Sequence, residues 1–125
     1  ISGALLVCDE KYGVDIFLGI GGGPEGVLAA SALDSFNCYF QGRFLFKEEK
    51  DIARAKKMGV EDLNKKYNLN EIVSGDSIFC ATGVTTGDLL EGIKFNNSNY
   101  TSETLVTHKS CNFKKIVKKV NTLTT

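Results

Sequence analysis

The chain has 125 residues, 42% of them hydrophobic and 24% charged, with 15 basic against 15 acidic side chains and a formal net charge of zero. These values describe one modest globular domain with a core, and the charge balance gives no general electrostatic attraction to nucleic acid or an anionic membrane. No apolar run approaches the roughly 18–20 residues that cross a bilayer, and no signal-peptide pattern opens the chain, so a cytoplasmic protein is expected.

Ala4 to Cys8 and Ile16 to Ile20 read as short buried strands joined by a polar turn, Asp9 to Gly13. Ile1 is not an initiator Met and leads almost directly into the first of these runs, so the chain is expected to enter a domain part-way. Pro24 to about Phe36 is helical. Its Val27, Leu28, Ala29, Ala30, Ala32 and Leu33 surround the axis and predict a largely buried helix. Cys38 to Phe46 carries strand-like aromatics interrupted by Gln41-Gly42-Arg43.

A second helix is expected from about Glu48 to Met58, with Lys56 and Lys57 in its last turn and Gly59 just past its end. Leu69 to Val73 suits one further helical turn. Ser77 to Ala81 reads as a buried strand that enters a second Gly/Thr-rich loop, Thr82 to Gly87, and Asp88 to Glu91 as a short helix with an acidic first turn. In the tail, Phe113, Ile116, Val117 and Val120 fit a helical stripe, while the β-branched content also suits a hairpin turning near Ser110 to Asn112. Periodicity favours the helix slightly. Alternation of strands and helices predicts an α/β domain, with ligands gathered at strand carboxyl ends, where the two Gly-rich loops would line one cleft.

The chemistry concentrates in Gly19-Ile20-Gly21-Gly22-Gly23-Pro24-Glu25-Gly26. Glycines permit positive φ and close backbone approach. A following helix aims free N–H groups and its positive dipole end at the loop, which suits a phosphate, and Pro24 fits the first helical position. Glu25 would repel a phosphate unless a divalent cation lay between them, so the pattern points to a metal-assisted phosphate site. The segment also satisfies G-x-G-x-x-G, but the acidic residue such a dinucleotide site needs falls only at Glu48, inside the next helix. A purely structural glycine turn is the third reading.

For Thr82 to Asp88 the choice lies between phosphate donors and simple capping by Thr86 with Asp88 on the dipole, and capping is preferred. His108, the only histidine, has no acidic neighbour in sequence and reads as a surface or packing residue. Arg43 suits either a phosphate or a local carboxylate. Cys8, Cys38, Cys80 and Cys111 form no C-x-x-C pair and are expected to be reduced and mostly buried. The basic tail, Lys109 to Lys119, reads as a solvated face. No residue of the chain is assigned a catalytic role.

Three segments together resemble one family: Asp15 to Ala30, then Gln41-Gly42-Arg43-Phe44-Leu45-Phe46 followed by Ala53 to Gly59, and finally Phe79 to Leu90. In this order and spacing, over roughly residues 13 to 120, they look like the C-terminal part of the bacterial class II fructose-1,6-bisphosphatases. The resemblance implies a C-terminal portion of the sugar-phosphatase α/β fold, with a mixed sheet and flanking helices, over residues 1–125. It implies Mg²⁺- or Mn²⁺-dependent hydrolysis of the 1-phosphate of fructose 1,6-bisphosphate, in gluconeogenesis, with sedoheptulose 1,7-bisphosphate as a further substrate of some members.

By that resemblance Glu25 is a metal ligand and Gly22 contacts substrate, with Gly21 and Gly23 beside it. It also turns the tail towards a β-hairpin, although Glu103 and His108 stand where the family often has other polar residues. The remaining acidic ligands, the threonine associated with water attack and most sugar-binding residues belong to the N-terminal half, the expected partner, in a homo-oligomer. The rival expectation is a non-catalytic nucleotide- or phosphate-binding module.

Overall fold

The computed structural model describes residues 1–123. Its elements in chain order are a short helix α1 (Ser2–Leu5), two 3₁₀ turns (Leu6–Cys8 and Glu10–Tyr12), α2 (Gly23–Ser35), β1 (Gln41–Gly42), α3 (Glu49–Lys57), β2 (Tyr67–Asn68), α4 (Leu69–Ile72), β3 (Ile78–Thr82), β4 (Lys94–Asn96), β5 (Asn99–His108) and β6 (Phe113–Thr122). Helices and sheets together agree with the α/β expectation. Every ladder among the described residues is antiparallel, so these residues alone do not form the mixed sheet that was expected. None of the described helices is long and apolar enough to cross a membrane.

β5 is the spine of the main sheet. One edge pairs along its length with β6, from Asn99↔Thr122 to His108↔Phe113. The other edge is shared by β3, from Ile78↔His108 to Thr82↔Thr104, and by β4, from Lys94↔Thr101 to Asn96↔Asn99. β1 and β2 form a separate two-residue ladder. The core gathers Leu5 of α1, Ala32 and Leu33 of α2, Phe79 of β3, Leu105 of β5 and Leu90 from the loop between β3 and β4.

Both longer helices end as their sequences direct. After α2, Asn37 takes φ +55°, and the N–H groups of Asn37 and Cys38 donate to Asp34 O and Leu33 O, both at 3.1 Å. After α3, Gly59 takes φ +90°, and Gly59 and Val60 donate to Lys56 O and Ala55 O at 3.0 Å. Each end is a Schellman motif that satisfies otherwise orphaned carbonyls. α4 starts with a capping box made by Asn68 and Glu71.

Several expectations are corrected. Ala4 to Cys8 is not a strand: Ala4 and Leu5 donate to Ile1 O at 3.0 and 3.3 Å, and the run continues as a 3₁₀ turn. With no neighbouring strand to pair with, local helical bonds satisfy its backbone. Ile16 to Ile20 likewise lacks a ladder, and its Leu18 and Ile20 side chains are 84% and 83% exposed. Within Cys38 to Phe46 only Gln41–Gly42 pairs, and Asp88 to Glu91 bends without forming a helix. α2 is buried only in its second half, from Ala29 to Ser35 except the half-buried Ser31, while Val27 and Leu28 are about half exposed.

The tail is the hairpin that the resemblance implied and the period count disfavoured. Ten consecutive pairs, including Leu105↔Ile116 and Thr104↔Val117, join its strands, and Asn112 at φ +48° closes the turn. Cross-strand partners decide such a segment, and they are invisible to a one-dimensional period. All four cysteines are free, but Cys80 and Cys111 are exposed rather than buried.

Candidate functional site: the glycine loop at the start of α2

The loop does not follow a strand, but it does open a helix. Gly22 is the N-cap and Gly23 the first helical residue, which places Pro24 second rather than first. Pro24 lacks an N–H in a turn where none is needed. The first helical bond runs from Gly26 N to Gly22 O at 3.1 Å, and no side chain caps this end. The N–H groups of Gly23 and Glu25 have no backbone acceptor there, so the first turn offers donors and the positive dipole end to an anion. Gly21, Gly22, Gly23, Pro24 and Glu25 are all exposed.

Gly22 has φ −68° and ψ 155°, an extended conformation open to any residue. The expected positive φ is therefore not its reason to be glycine. A Cβ there would meet Oε2 of Glu25, whose carboxylate folds back over the Gly22 backbone, and that exposed side chain would have to turn aside. Gly22, the donor-rich first turn and the Glu25 carboxylate thus share one small surface.

A hard divalent cation takes about six oxygen ligands. Glu25 supplies one carboxylate, and no group of three or more His, Cys, Asp or Glu side chains among the described residues is placed to hold a metal. The fit is to one ligand position, not to a whole metal site.

The second loop is closed on itself. Gly83 N donates to Glu103 O at 3.0 Å, Gly87 N to Leu90 O at 3.0 Å, and Ile93 N to Val84 O at 3.1 Å. Thr86 caps no helix; its Oγ1 accepts from Gly92 N at 3.0 Å. Glu103 reinforces the fold of this loop by accepting from Glu91 N at 2.9 Å. Neither glycine loop lines the surface cavity near Leu5 and Cys8 or the one near Arg43. Neither of these cavities is the shared cleft that was expected. Arg43 has no carboxylate partner among the described residues and lines a shallow groove with Phe44, Ile52 and Asn64.

His108 has an acidic partner that lies 32 residues away in sequence. Its Nε2 is 2.6 Å from Asp76 Oδ2 and 3.0 Å from Ser110 Oγ, and Ser110 Oγ donates to the same Asp76 oxygen at 2.6 Å. A catalytic triad needs the serine and the carboxylate on opposite ring nitrogens. Here both meet Nε2, so the cluster ties the β5–β6 turn to the loop before β3. Hydrogen bonds from the Ser110 hydroxyl and then from His108 hold the Asp76 carboxyl down at about 2.

The family model for bacterial, glpX-encoded fructose-1,6-bisphosphatases matches residues 1–122. Among curated relatives, a D-fructose 1,6-bisphosphatase class 2/sedoheptulose 1,7-bisphosphatase from Synechococcus sp. (strain JA-3-3Ab) is 36% identical over 119 residues, covering 85% of this chain and 34% of the relative. The protein of the same name from Trichodesmium erythraeum (strain IMS101) is 32% identical over 119 residues, with the same coverage. Fructose-1,6-bisphosphatase 1 class 2 from Escherichia coli (strain K12) is 36% identical over 120 residues, covering 85% of this chain and 35% of the relative. The chain spans about a third of the length of the curated relatives it matches.

Proposed function

The chain belongs to the bacterial fructose-1,6-bisphosphatase family of the class 2 type, and on that premise we propose that it is the C-terminal part of a metal-dependent, cytoplasmic sugar-bisphosphate phosphatase. The reaction is hydrolysis of the 1-phosphate of fructose 1,6-bisphosphate, with sedoheptulose 1,7-bisphosphate as a second substrate. The observation that carries this reading is the placement of Glu25 over Gly22, beside the free donors of the first turn of α2.

In this reading the amides around Gly21, Gly22 and Gly23 hold phosphoryl oxygens, and the absent Cβ of Gly22 leaves room for the Glu25 carboxylate and the ligand together. Glu25 contributes one ligand to Mn²⁺ or Mg²⁺, with the other ligands coming from the N-terminal half. A bound divalent cation offsets charge on the phosphoryl group. Support for the second half comes from the surface flanking the loop. Ile16, Leu18, Ile20, Val27 and Leu28 stand open to solvent, an apolar set of the kind that other polypeptide covers.

The test is Glu25→Gln in the intact protein, measured as metal-dependent release of phosphate from fructose 1,6-bisphosphate. Loss of a charge-stabilising group of this kind costs about 10²–10³ in turnover, with the circular dichroism spectrum unchanged. Near-normal turnover across a Mn²⁺ and Mg²⁺ titration would remove Glu25 from the reaction. Residues 1–125 alone should release no phosphate. Binding of phosphate esters without hydrolysis by the intact protein would support the non-catalytic binding module instead.

A further inference from the structure

We propose that Cys8 and Cys38 are a reversible disulfide site that joins the 3₁₀ turn after α1 to the segment leaving α2. Their sulfurs lie 3.6 Å apart although the residues are 30 positions apart in sequence. Both thiols are free and half-buried, at the margin of the core that includes Leu5 and Leu33. Cys38 is held in place by the Schellman motif of α2, through its N–H to Leu33 O. Cys8 ends the 3₁₀ turn that follows α1. A disulfide bond is about 2.05 Å long, so the sulfurs must approach by about 1.5 Å for the bond to form.

Access is built in. Cys8 lines a surface cavity of about 160 Å³ together with Lys114, Lys115 and the pair of Lys11 with Asp9 (3.0 Å), so that cations outnumber the one carboxylate. That basic surround suits an anionic disulfide such as glutathione disulfide. One cysteine thiolate attacks a glutathione sulfur, forming a mixed disulfide and expelling one glutathione thiolate. The other cysteine then displaces the second glutathione. Two protein thiols are oxidised to one disulfide, one glutathione disulfide is reduced to two thiols, and both protons end on glutathione. Burial, and then the neighbouring Cys38 thiol, push Cys8 up to about 12, so Cys8 itself is a slow nucleophile at neutral pH and a faster one as pH rises. The covalent ring encloses residues 9–37, and with them the glycine loop, Glu25 and all of α2.

The test equilibrates the reduced full chain with glutathione disulfide at mildly alkaline pH, then applies acid quench, alkylation and peptide mapping by mass spectrometry. The expected result is a linked Cys8–Cys38 peptide pair, loss of both residues from the alkylated pool, and full recovery with dithiothreitol. Cys80 and Cys111, exposed and without a cysteine partner, should appear only as thiols or glutathione adducts. Cys8→Ser should leave Cys38 only as a glutathione adduct. Recovery of Cys8 and Cys38 from the natural chain as alkylated thiols, or as separate glutathione adducts, would overturn the proposal. Because that mapping uses the natural chain, it decides the matter even if Cys8→Ser fails to fold.

Discussion

The anchored end of α2 yields the sharpest stability prediction. Lys109 Nζ lies 2.6 Å from Asp34 Oδ1, but the two partners differ in exposure, with 46% of the lysine side chain accessible against 9% of the aspartate. Beside them, Thr107 Oγ1, fully buried, donates to Ser35 Oγ at 3.0 Å. Lys109→Met keeps the aliphatic stem and removes the charge, leaving Asp34 a poorly solvated carboxylate without its cation. Asp34→Ala instead frees a lysine that can reach water. Exposed pairs contribute about 0–1 kcal/mol, whereas breaking a fully buried pair costs about 3–5 kcal/mol. For this half-buried pair we expect about 2 kcal/mol for Lys109→Met and about 1 kcal/mol or less for Asp34→Ala.

The assay is equilibrium urea unfolding of the full chain. A loss of about 2 kcal/mol lowers the midpoint by about 1 M at a slope of about 2 kcal/mol per M. The double variant should resemble Asp34→Ala alone, because removing the carboxylate also removes the penalty for leaving it unpaired. Lys109→Met with no midpoint shift, or a smaller shift than Asp34→Ala, would refute the reasoning. It would show that the carboxylate is well solvated and that the pair does not anchor α2.

Gly22→Ala should leave thermal stability nearly unchanged, since its backbone suits alanine; displacing the Glu25 carboxylate should still weaken Mn²⁺ binding by the intact protein, read by calorimetry, by about 10-fold or more. Gly92→Ala should be destabilising by about 2–3 kcal/mol, because its Cβ would meet Thr86 N at 2.6 Å, Thr85 C at 2.7 Å and Val84 O at 2.8 Å. Thermal denaturation checks it against Gly87→Ala, whose Cβ meets nothing within 4 Å and which should be close to neutral. Asp76 has a carboxyl lowered from 3.8 to about 2. Its bonds therefore stabilise the fold fully above the unfolded value, and that contribution fades as pH falls from about 4 towards about 2. The difference in melting temperature between the natural chain and Asp76→Asn should shrink over that interval; a constant difference would show that ionised Asp76 is not what holds the turn.

Much of the local structure, and the location of the candidate site, were legible in the residues. The alanine-rich run after Pro24 forms α2, Gly59 stops α3 in the left-handed region, and the strand expected over Ser77 to Ala81 forms as β3. Only Phe79 in that strand is buried, while Ile78 and Cys80 are exposed. The family likeness was legible too, in the segments from Asp15 to Ala30, Gln41 to Gly59 and Phe79 to Leu90. These features depend on hydrogen bonds and conformational preferences that act within a few residues, so the linear chain contains them. Tertiary structure decided the rest. It left the apolar run at Ile16 to Ile20 without a ladder, folded Ala4 to Cys8 into helical turns, and made the tail a hairpin by setting Leu105 against Ile116. It also brought Asp76 to His108 and Cys38 to Cys8, across 32 and 30 residues. A strand needs a partner for every other backbone group, and a side-chain pair needs two distant segments packed together, so neither is set until the chain has closed on itself.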